Sequence, residues 1–372
     1  MIKPEDVRSP VALISTTSFV IMAGITTWAL AKGGTGPLLN QGTPSSFQGL
    51  SRGWAWFYAI TSSVGGISSG ILNQADFTRF VPRQGMQIPG NVLAPLVPGI
   101  IVPLFGLLTA SATMNIYGGE PIWNPLELII RWMSADYSPT SRVAAFTCSV
   151  GFMSSQLAEN VLANGYAAGM DLAGLFPHWI NIRRGALIAA LLSWVPRPWL
   201  FYHSSSNFIA IMSSFSVFLA PLTGIMMCDY FLVRNQKIEL SNLFSDTPNG
   251  AYWYQGGINW MAMLTWVFCF IPALPGMLAT FNAEIVVSEI LMNYYHGNYI
   301  FGFIGGLAIY YIVTMALPIR RAGIMDEGDV FGTFTDEVAQ QKGIIPASQL
   351  LTQETCHPEF GNTTRADASM IG

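Results

Sequence analysis

The sequence predicts an all-α integral membrane protein of about eight transmembrane helices, on three observations. Of its 372 residues 51% are hydrophobic and only 10% are charged, against about 25% charged in a soluble globular chain. Too few polar groups remain to cover a water-facing surface, so lipid must cover much of it. The apolar residues also fall in runs of roughly 20, the length a membrane helix needs, and those runs end at charges. Finally, Lys and Arg sort unequally between alternate connections, as membrane insertion requires. A mean hydropathy of +0.43 agrees.

A single charge at the centre of a span costs about 2.5–3.5 kcal/mol on insertion scales, so charges mark the boundaries. Span one covers 10–31, between Arg8 and Lys32, and a Gly/Pro/Ser-rich loop leads to span two at 53–75. Span three, 91–117, carries Pro95, Pro98 and Pro103, which should bend its first half. Span four covers 140–165. Pro196-Arg197-Pro198 separates span five (184–202) from span six (205–232), and spans seven and eight cover 257–281 and 299–318. Together these form a transmembrane domain over 1–318; residues 319–372 read as a polar, acidic and disordered cytosolic tail. Trp123 to Met133 has apolar residues at helical spacing with Glu127 and Arg131 as an i,i+4 pair, and reads as a short helix on the membrane surface.

Placing the N-terminus in the cytosol puts Lys3, Arg8, Arg79, Arg83, Arg183, Arg184, Arg234, Lys237, Arg320 and Arg321 inside. Lys32, Arg52, Arg131, Arg142 and Arg197 fall outside, so both termini are expected in the cytosol. Pro4, Glu5 and Asp6 precede a run too long for a signal core, so no cleavable signal is read. A net charge of −4 without a basic block gives no footprint for nucleic acid. The four cysteines are scattered without metal spacing, and three of them lie in apolar runs, where a small buried residue is the plain reading.

Two polar clusters interrupt the apolar runs. In span two, Gly65-Gly66-Ile67-Ser68-Ser69-Gly70 is a poor helix former, since glycine in a helix interior costs roughly 1 kcal/mol relative to alanine. It reads either as a break at Gly65 and Gly66, with Ser68 and Ser69 placed to satisfy freed backbone groups, or as a Gly66-xxx-Gly70 contact between helices. Asp76 and Arg79, three apart at the cytosolic end, read as a gate pair or as headgroup anchors. In span four, Ser154, Ser155, Gln156, Glu159, Asn160 and Asn164 are polar where a plain span would carry Leu. Such groups are costly and normally face the bundle interior. Serine hydroxyls suit a hard cation such as Na⁺, the amide of Asn160 suits the edge of a heterocycle, and Glu159 could carry a proton. No catalytic set competes: His178, His203, His296 and His357 lie at span ends or in the tail, and there is no GxSxG, P-loop or calcium loop. An enzyme is not the reading.

These residues carry a resemblance. Asn73-Gln74-Ala75-Asp76-Phe77-Thr78-Arg79-Phe80 resembles the N-x-x-D-F/Y-S/T-R-F/Y signature of the nucleobase:cation symporter-1 family. Ala158 to Leu172, AENVLANGYAAGMDL, is similar to its N-I-x-A-N-x-x-x-A-G-x-D-L stretch, and Leu175-Phe176-Pro177 and Ile180-Asn181-Ile182-Arg183-Arg184-Gly185 follow as they do there. Phe218 to Met226 with Asp229-Tyr230-Phe231, and Tyr252 to Trp260, resemble later segments of the same family. The flavour is that of the fungal uracil, allantoin, uridine and thiamine permeases. The resemblance implies a leucine-transporter-like inverted-repeat fold of about twelve spans, of which this chain would hold helices five to twelve and lack the first four. It implies substrate contacts from Asn160 and Asn164 and, in helix six, from Ile67 and Ser68. It also implies a cation site at Gly151, Ser154 and Ser155, with H⁺ favoured over Na⁺ as the coupling ion and no other cofactor. Glu159 has no such support as a proton carrier.

The function expected is secondary active transport: cation-coupled uptake of a nucleobase or related small heterocycle across the plasma membrane, with lipid as the surrounding partner. The alternative is a truncated, transport-inactive fragment or partner subunit of such a permease. A third reading, an amino-acid permease of the same fold, fits the motifs less well. Which heterocycle is carried, and the oligomeric state, are not encoded in these patterns.

Overall fold

The computed structural model describes residues 8–39, 51–78, 81, 85–197, 199, 205–243, 248, 250–282, 284–319 and 322–350. Among them the structure is helical, with two isolated β-bridges, Gln255 to Ile258 and Gly328 to Ile345. Among the described residues five helices are long and apolar enough to cross a membrane: Ser9–Gly33, Gln87–Tyr117, Ser214–Val233, Trp260–Phe281 and Asn298–Ala316. The other expected spans are shorter or more polar as helices, for reasons visible in their residues. Span two ends as a continuous helix at its glycines, and the Ser/Gln/Glu cluster lowers the hydropathy of span four. The described chain divides into two compact units, one formed by 1–55 and 69–208, the other by 56–68 and 209–372.

The first unit contains α1 (Arg8–Gly33), α5 (Gln87–Leu96), α6 (Pro98–Tyr117), α7 (Pro125–Ala135), α8 (Pro139–Glu159), a π-helical turn (Asn160–Tyr166), α9 (Ala167–Leu175) and α10 (Ile182–Leu192). The proline cluster of span three divides it at Val97, between α5 and α6. α1 packs along α6, where the Thr26 and Thr109 hydroxyls lie 3.0 Å apart and the Phe19 and Phe105 rings 5.5 Å apart. α7 starts at an Asn124 side chain that accepts from the Leu126 N–H at 3.0 Å. Its apolar face buries Leu128 and Ile129 and sets Trp132 edge-on against Trp28 of α1. Glu127 and Arg131 of α7 are both exposed and do not reach ion-pair distance, so the expected i,i+4 pair is not formed. α9 and α10 approach so closely that a Cβ on Gly169 would lie 2.6 Å from the Ile182 carbonyl oxygen, and one on Gly185 would lie 2.9 Å from that of Gly169. Small residues are what allow such backbone approach.

The second unit contains most of α2 (Arg52–Gly65), most of α11 (Ser205–Met227) with the π-helical turn that continues it (Cys228–Val233), α12 (Leu240–Leu243), α13 (Trp260–Phe270), α14 (Leu274–Phe281), α15 (Glu289–His296) and α16 (Asn298–Ala316). α11 and α16 meet at a glycine seam: a Cβ on Gly224 would lie 2.2 Å from the Phe303 carbonyl oxygen, and one on Gly306 would lie 2.5 Å from that of Pro221. At one end of the seam the buried Ser216 hydroxyl donates to Asn298 Oδ1 at 2.6 Å. Trp266 Nε1 of α13 donates to the Phe218 carbonyl at 2.8 Å. The segment 322–350, expected as disordered tail, departs from that expectation. It holds a short helix, α17 (Asp336–Gln341), and the Asp329 carboxylate, 4% exposed, accepts the N–H groups of Thr333 and Phe334 at 2.8 and 2.7 Å. Ser241 of α12 donates both its N–H and its hydroxyl to Asp326, the N–H at 3.1 Å. Apolar residues such as Ala339 and Ile344, both buried, give this polar stretch a small core.

Candidate functional site

The glycine-rich stretch of span two is interrupted. α2 ends at Gly65, Gly66 and Ile67 form a turn, and α3 (Ser68–Leu72) begins beyond it. An interruption frees carbonyl groups that lipid cannot satisfy. Here the Ile67 N–H donates to Val64 at 3.1 Å, and the fully buried Ser68 hydroxyl donates to the Gly65 carbonyl at 2.7 Å. Ser68 therefore spends its hydroxyl hydrogen on the break, while Ile67 is 56% exposed. A Cβ on Gly70 would meet nothing within 4 Å and one on Gly66 only Ser63 at 3.8 Å, so neither glycine marks a tight helix contact among the described residues.

In the first unit the chain turns again at Asn73 into α4 (Gln74–Thr78), with Asp76 in the first turn, where a carboxylate meets the positive end of the helix dipole. Gln74 Nε2 donates to Asn91 Oδ1 of α5 at 2.9 Å. The Asp171 carboxyl of α9 is held above its usual range, first by desolvation and then by the charge of Asp76. Arg79 lies outside the described residues.

The polar cluster of span four lies on one continuous helical rod, α8 followed by the π turn. Gly151 is buried against Ile21 of α1, whose Cδ1 would lie 2.1 Å from any Cβ there. Ser154 and Ser155 are half-buried, and the Ser154 hydroxyl donates back to the Val150 carbonyl at 2.8 Å, leaving its oxygen lone pairs available. Asn160 opens the π turn. Its Nδ2 donates to the Gln156 carbonyl at 2.8 Å, and its Oδ1 accepts from Asn164 Nδ2 at 2.9 Å. Both asparagines are exposed. Gly165 lies over the Asn160 carbonyl, at a spacing that an added Cβ would reduce to 3.3 Å. Widened turns of this kind inside α-helices occur often at functional sites. Gly151, Ser154, Ser155, Asn160 and Asn164 are thus carried by one rod of the first unit, whereas Gly65, Gly66, Ile67 and Ser68 belong to the second.

A second polar centre, not singled out in the sequence, lies in the second unit. Arg234 is 2% exposed; its Nε donates to Asp229 Oδ2 at 2.7 Å and its Nη2 to the Tyr254 hydroxyl at 2.8 Å. The guanidinium also lies over the Tyr252 ring, 4.7 Å from its centroid. Tyr310 of α16 donates to Asp229 Oδ1 at 3.0 Å, and Asn259 Nδ2 donates to the Tyr310 hydroxyl at 3.2 Å. The pair depends on the π turn Cys228–Val233. In an α-helix, residues five apart point about 140° away from each other; here the Arg234 N–H bonds to the Asp229 carbonyl at 2.9 Å, an i→i+5 link that stacks the two side chains. A signal existed in the acidic residue within span six, five positions before an arginine.

The first unit also has an open cleft of about 400 Å³ lined by residues that include Trp28, Lys32, Tyr117, Trp132, Asp136 and Cys148. None of the residues singled out in the sequence for transport lies on it.

A helix broken at glycines in one unit, and in the other a helix that carries hydroxyls and amides, are features that a membrane permease would have. The chain belongs to the family described as permease for cytosine/purines, uracil, thiamine, allantoin, which it matches over residues 3–302. It is therefore an integral membrane protein. It is 36% identical over 321 residues to the thiamine transporter THI72 of Saccharomyces cerevisiae, and equally so to nicotinamide riboside transporter 1 of the same yeast; each alignment covers 86% of this chain and 53% of the relative. The uridine permease of that organism is 32% identical over 85% of this chain and 50% of its own length. The chain thus spans about half the length of the curated relatives it matches. Its fold is similar to that of Mhp1, a nucleobase-cation-symport-1 family transporter solved in a closed conformation with bromovinylhydantoin bound. The TM-score is 0.58 at 19% identity, over 84% of this chain and 63% of Mhp1.

Proposed function

We propose that this chain forms part of a secondary transporter that takes up a small planar heterocycle, driven by a cation moving down its gradient. The observation that carries this reading is Asn160: an exposed amide at the start of a widened turn, on the rod that also bears Ser154 and Ser155. Its remaining hydrogen-bonding capacity includes an N–H donor and an oxygen lone pair. The relatives are named for thiamine, nicotinamide riboside, uridine and allantoin. Each of those molecules presents a donor beside an acceptor on a planar group, the complement of such an amide.

The coupling ion is H⁺ in this reading, with Gly151 carbonyl, Ser154 and Ser155 as the oxygen set that a hard cation would use. Ile67 and Ser68 at the helix break, and the Asp76–Arg79 end of span two, supply the moving part. In this reading both termini lie in the cytosol, which the Lys/Arg distribution supports, and the membrane is the plasma membrane.

The test is Asn160→Ala in the complete gene product, expressed in a host without endogenous uptake. Uptake should fall at least about tenfold, equivalent to the loss of roughly 1.4 kcal/mol of recognition, at unchanged surface abundance. An unaltered KM for every heterocycle in a competition panel of uracil, uridine, allantoin, thiamine and nicotinamide riboside overturns the assignment.

A further inference from the structure

We infer that His296 is a proton-operated latch on the broken helix: neutral, its ring holds α2 against α15, and a proton taken up from water lets α2 part from it. The inference goes beyond the transport reading and does not depend on which molecule is carried.

The contact has a fixed side and a loose side. The end of α15 is tied to α11: the buried Asn298 donates Nδ2 to the Tyr295 carbonyl at 2.7 Å and accepts the Ser216 hydroxyl at 2.6 Å. Tyr295 is 1% exposed and shares a core with Val217 and Ala273. α2 comes to this assembly through rings, Phe57 stacked on Phe301 at 5.9 Å and Tyr58 edge-on to His296 at 5.0 Å. Three and four residues after Tyr58, on the same face, the Thr61 and Ser62 hydroxyls are buried without a hydrogen-bond partner among the described residues. His296 Nδ1 and the Tyr295 hydroxyl are buried without one too. Unmade hydrogen bonds of this kind are costly, and water entering between α2 and α15 would relieve them.

The surroundings of the ring favour its neutral form. Tyr58 faces it from α2 and Tyr295 from α15, with Ser214 of α11 and Thr280 of α14 beside the Tyr295 hydroxyl. α11, α14, α16 and the turn Ile271–Ala273 carry no acidic or basic residue, and the acid of α15, Glu289, stands seven positions earlier in the helix. Burial therefore holds the imidazole below its usual 6.5 with no carboxylate to oppose it. A proton from water adds to the ring nitrogen that carries none and gives the imidazolium, which gains a donor and has no acceptor at Nδ1. The face of Tyr58 can attract that cation, but it does not supply the acceptor. The charged ring is thus better served when α2 has moved and water reaches it. A proton that binds more tightly to the parted state shifts the protein towards that state. The orientation that Lys and Arg favour puts the start of α2 and the α15 segment on the outer side, so the latch reads external pH.

The separation of the two helices is the direct readout. Nitroxide labels on Trp56→Cys of α2 and Ile290→Cys of α15, positions 64% and 81% exposed, report it by pulsed electron spin resonance. The sample is the complete gene product in detergent, without substrate and with its other cysteines replaced. Between about pH 8 and about pH 5, the range in which an imidazole titrates, the population at long separation should grow about threefold or more. His296→Phe keeps a ring against Tyr58 and takes no proton, so its labels should stay at the short separation at both pH values. Where His296→Phe is not recovered as folded protein, His296→Gln gives the comparison, since it too takes no proton in this range and its label separation should not respond to pH. An equal response to acid in the parent and in the variant overturns the latch, because another group then does the work. A parent pair that stays unchanged or draws closer at the lower pH overturns it as well. The measurement involves no transport, so the outcome of Asn160→Ala uptake, which tests the transport reading, is separate from it.

Discussion

A guanidinium that is 2% exposed and hydrogen-bonded to Asp229 and Tyr254 is a structural centre, although its position in the sequence, just past an apolar run, also fits a headgroup anchor. The positive-inside rule reads only which side of the membrane a charge is on; it is blind to whether that charge is solvated or paired. Asn160 and Ser154 were legible for the opposite reason, as polar groups inside an apolar run need a purpose. Removing one partner of a buried ion pair leaves the other uncompensated. Arg234→Leu should therefore lower stability by about 3 kcal/mol, read as a fall in the melting temperature of the detergent-solubilised protein. Loss of no more than a surface substitution would cost, about 0.5 kcal/mol, shows that Asp229 is held by Tyr310 alone.

Among the helices, the glycines divide into two kinds that look alike in sequence. Gly66 and Gly70, spaced as a helix-contact motif, have open space where a Cβ would go, and their stretch breaks the helix. Gly224 and Gly306, separated by more than 80 residues, form the true close approach between α11 and α16. Spacing alone could not reveal that, because the partners lie on different helices and the contact is between backbones. The proline bend of span three was legible because proline acts within its own helix. The seam gives a controlled comparison. Gly306→Val must push a side chain into the Pro221 carbonyl and should cost about 1–3 kcal/mol in overpacking, with reduced surface abundance. Gly305→Ala would place its Cβ 3.5 Å from the Cys269 sulfur, an ordinary contact, and should be tolerated. Equal behaviour of the two variants would refute the seam.

For the molecule as a whole, composition sufficed for the class of fold, since a chain with 10% charged residues has few ways to be covered except by lipid. It did not suffice for the segment 322–350, where buried Asp329 and Ala339 organise a stretch whose polarity suggested disorder. The pH dependence of stability is also a property of the whole. His296, edge-on to Tyr58 at 5.0 Å, has its imidazole held below the usual 6.5 by desolvation. The folded form then binds fewer protons than the unfolded form, so stability should be full above about pH 6.5 and fall as pH drops towards the folded-state value. His296→Phe keeps a ring against Tyr58 and removes the titration. Its melting temperature should decline less than the parent's between pH 7.5 and pH 5, and identical declines would exclude His296 as a source. Asp171 works in the reverse sense: its raised carboxyl favours the fold at low pH, so its contribution partly offsets that of His296 on acidification.

The π turn at Cys228–Val233 has a consequence for how this helix can change in length. One residue more than an α-helix would use is taken up there, and that surplus aligns Asp229 with Arg234. A one-residue deletion between them would restore ordinary winding and leave the two residues four apart, within about 40° of one another on an α-helix, a spacing at which such a pair still meets. The carboxylate can then keep the guanidinium as well as the Tyr310 hydroxyl. The surplus residue can thus be lost without parting the pair, so length is freer here than the identities of Asp229 and Arg234.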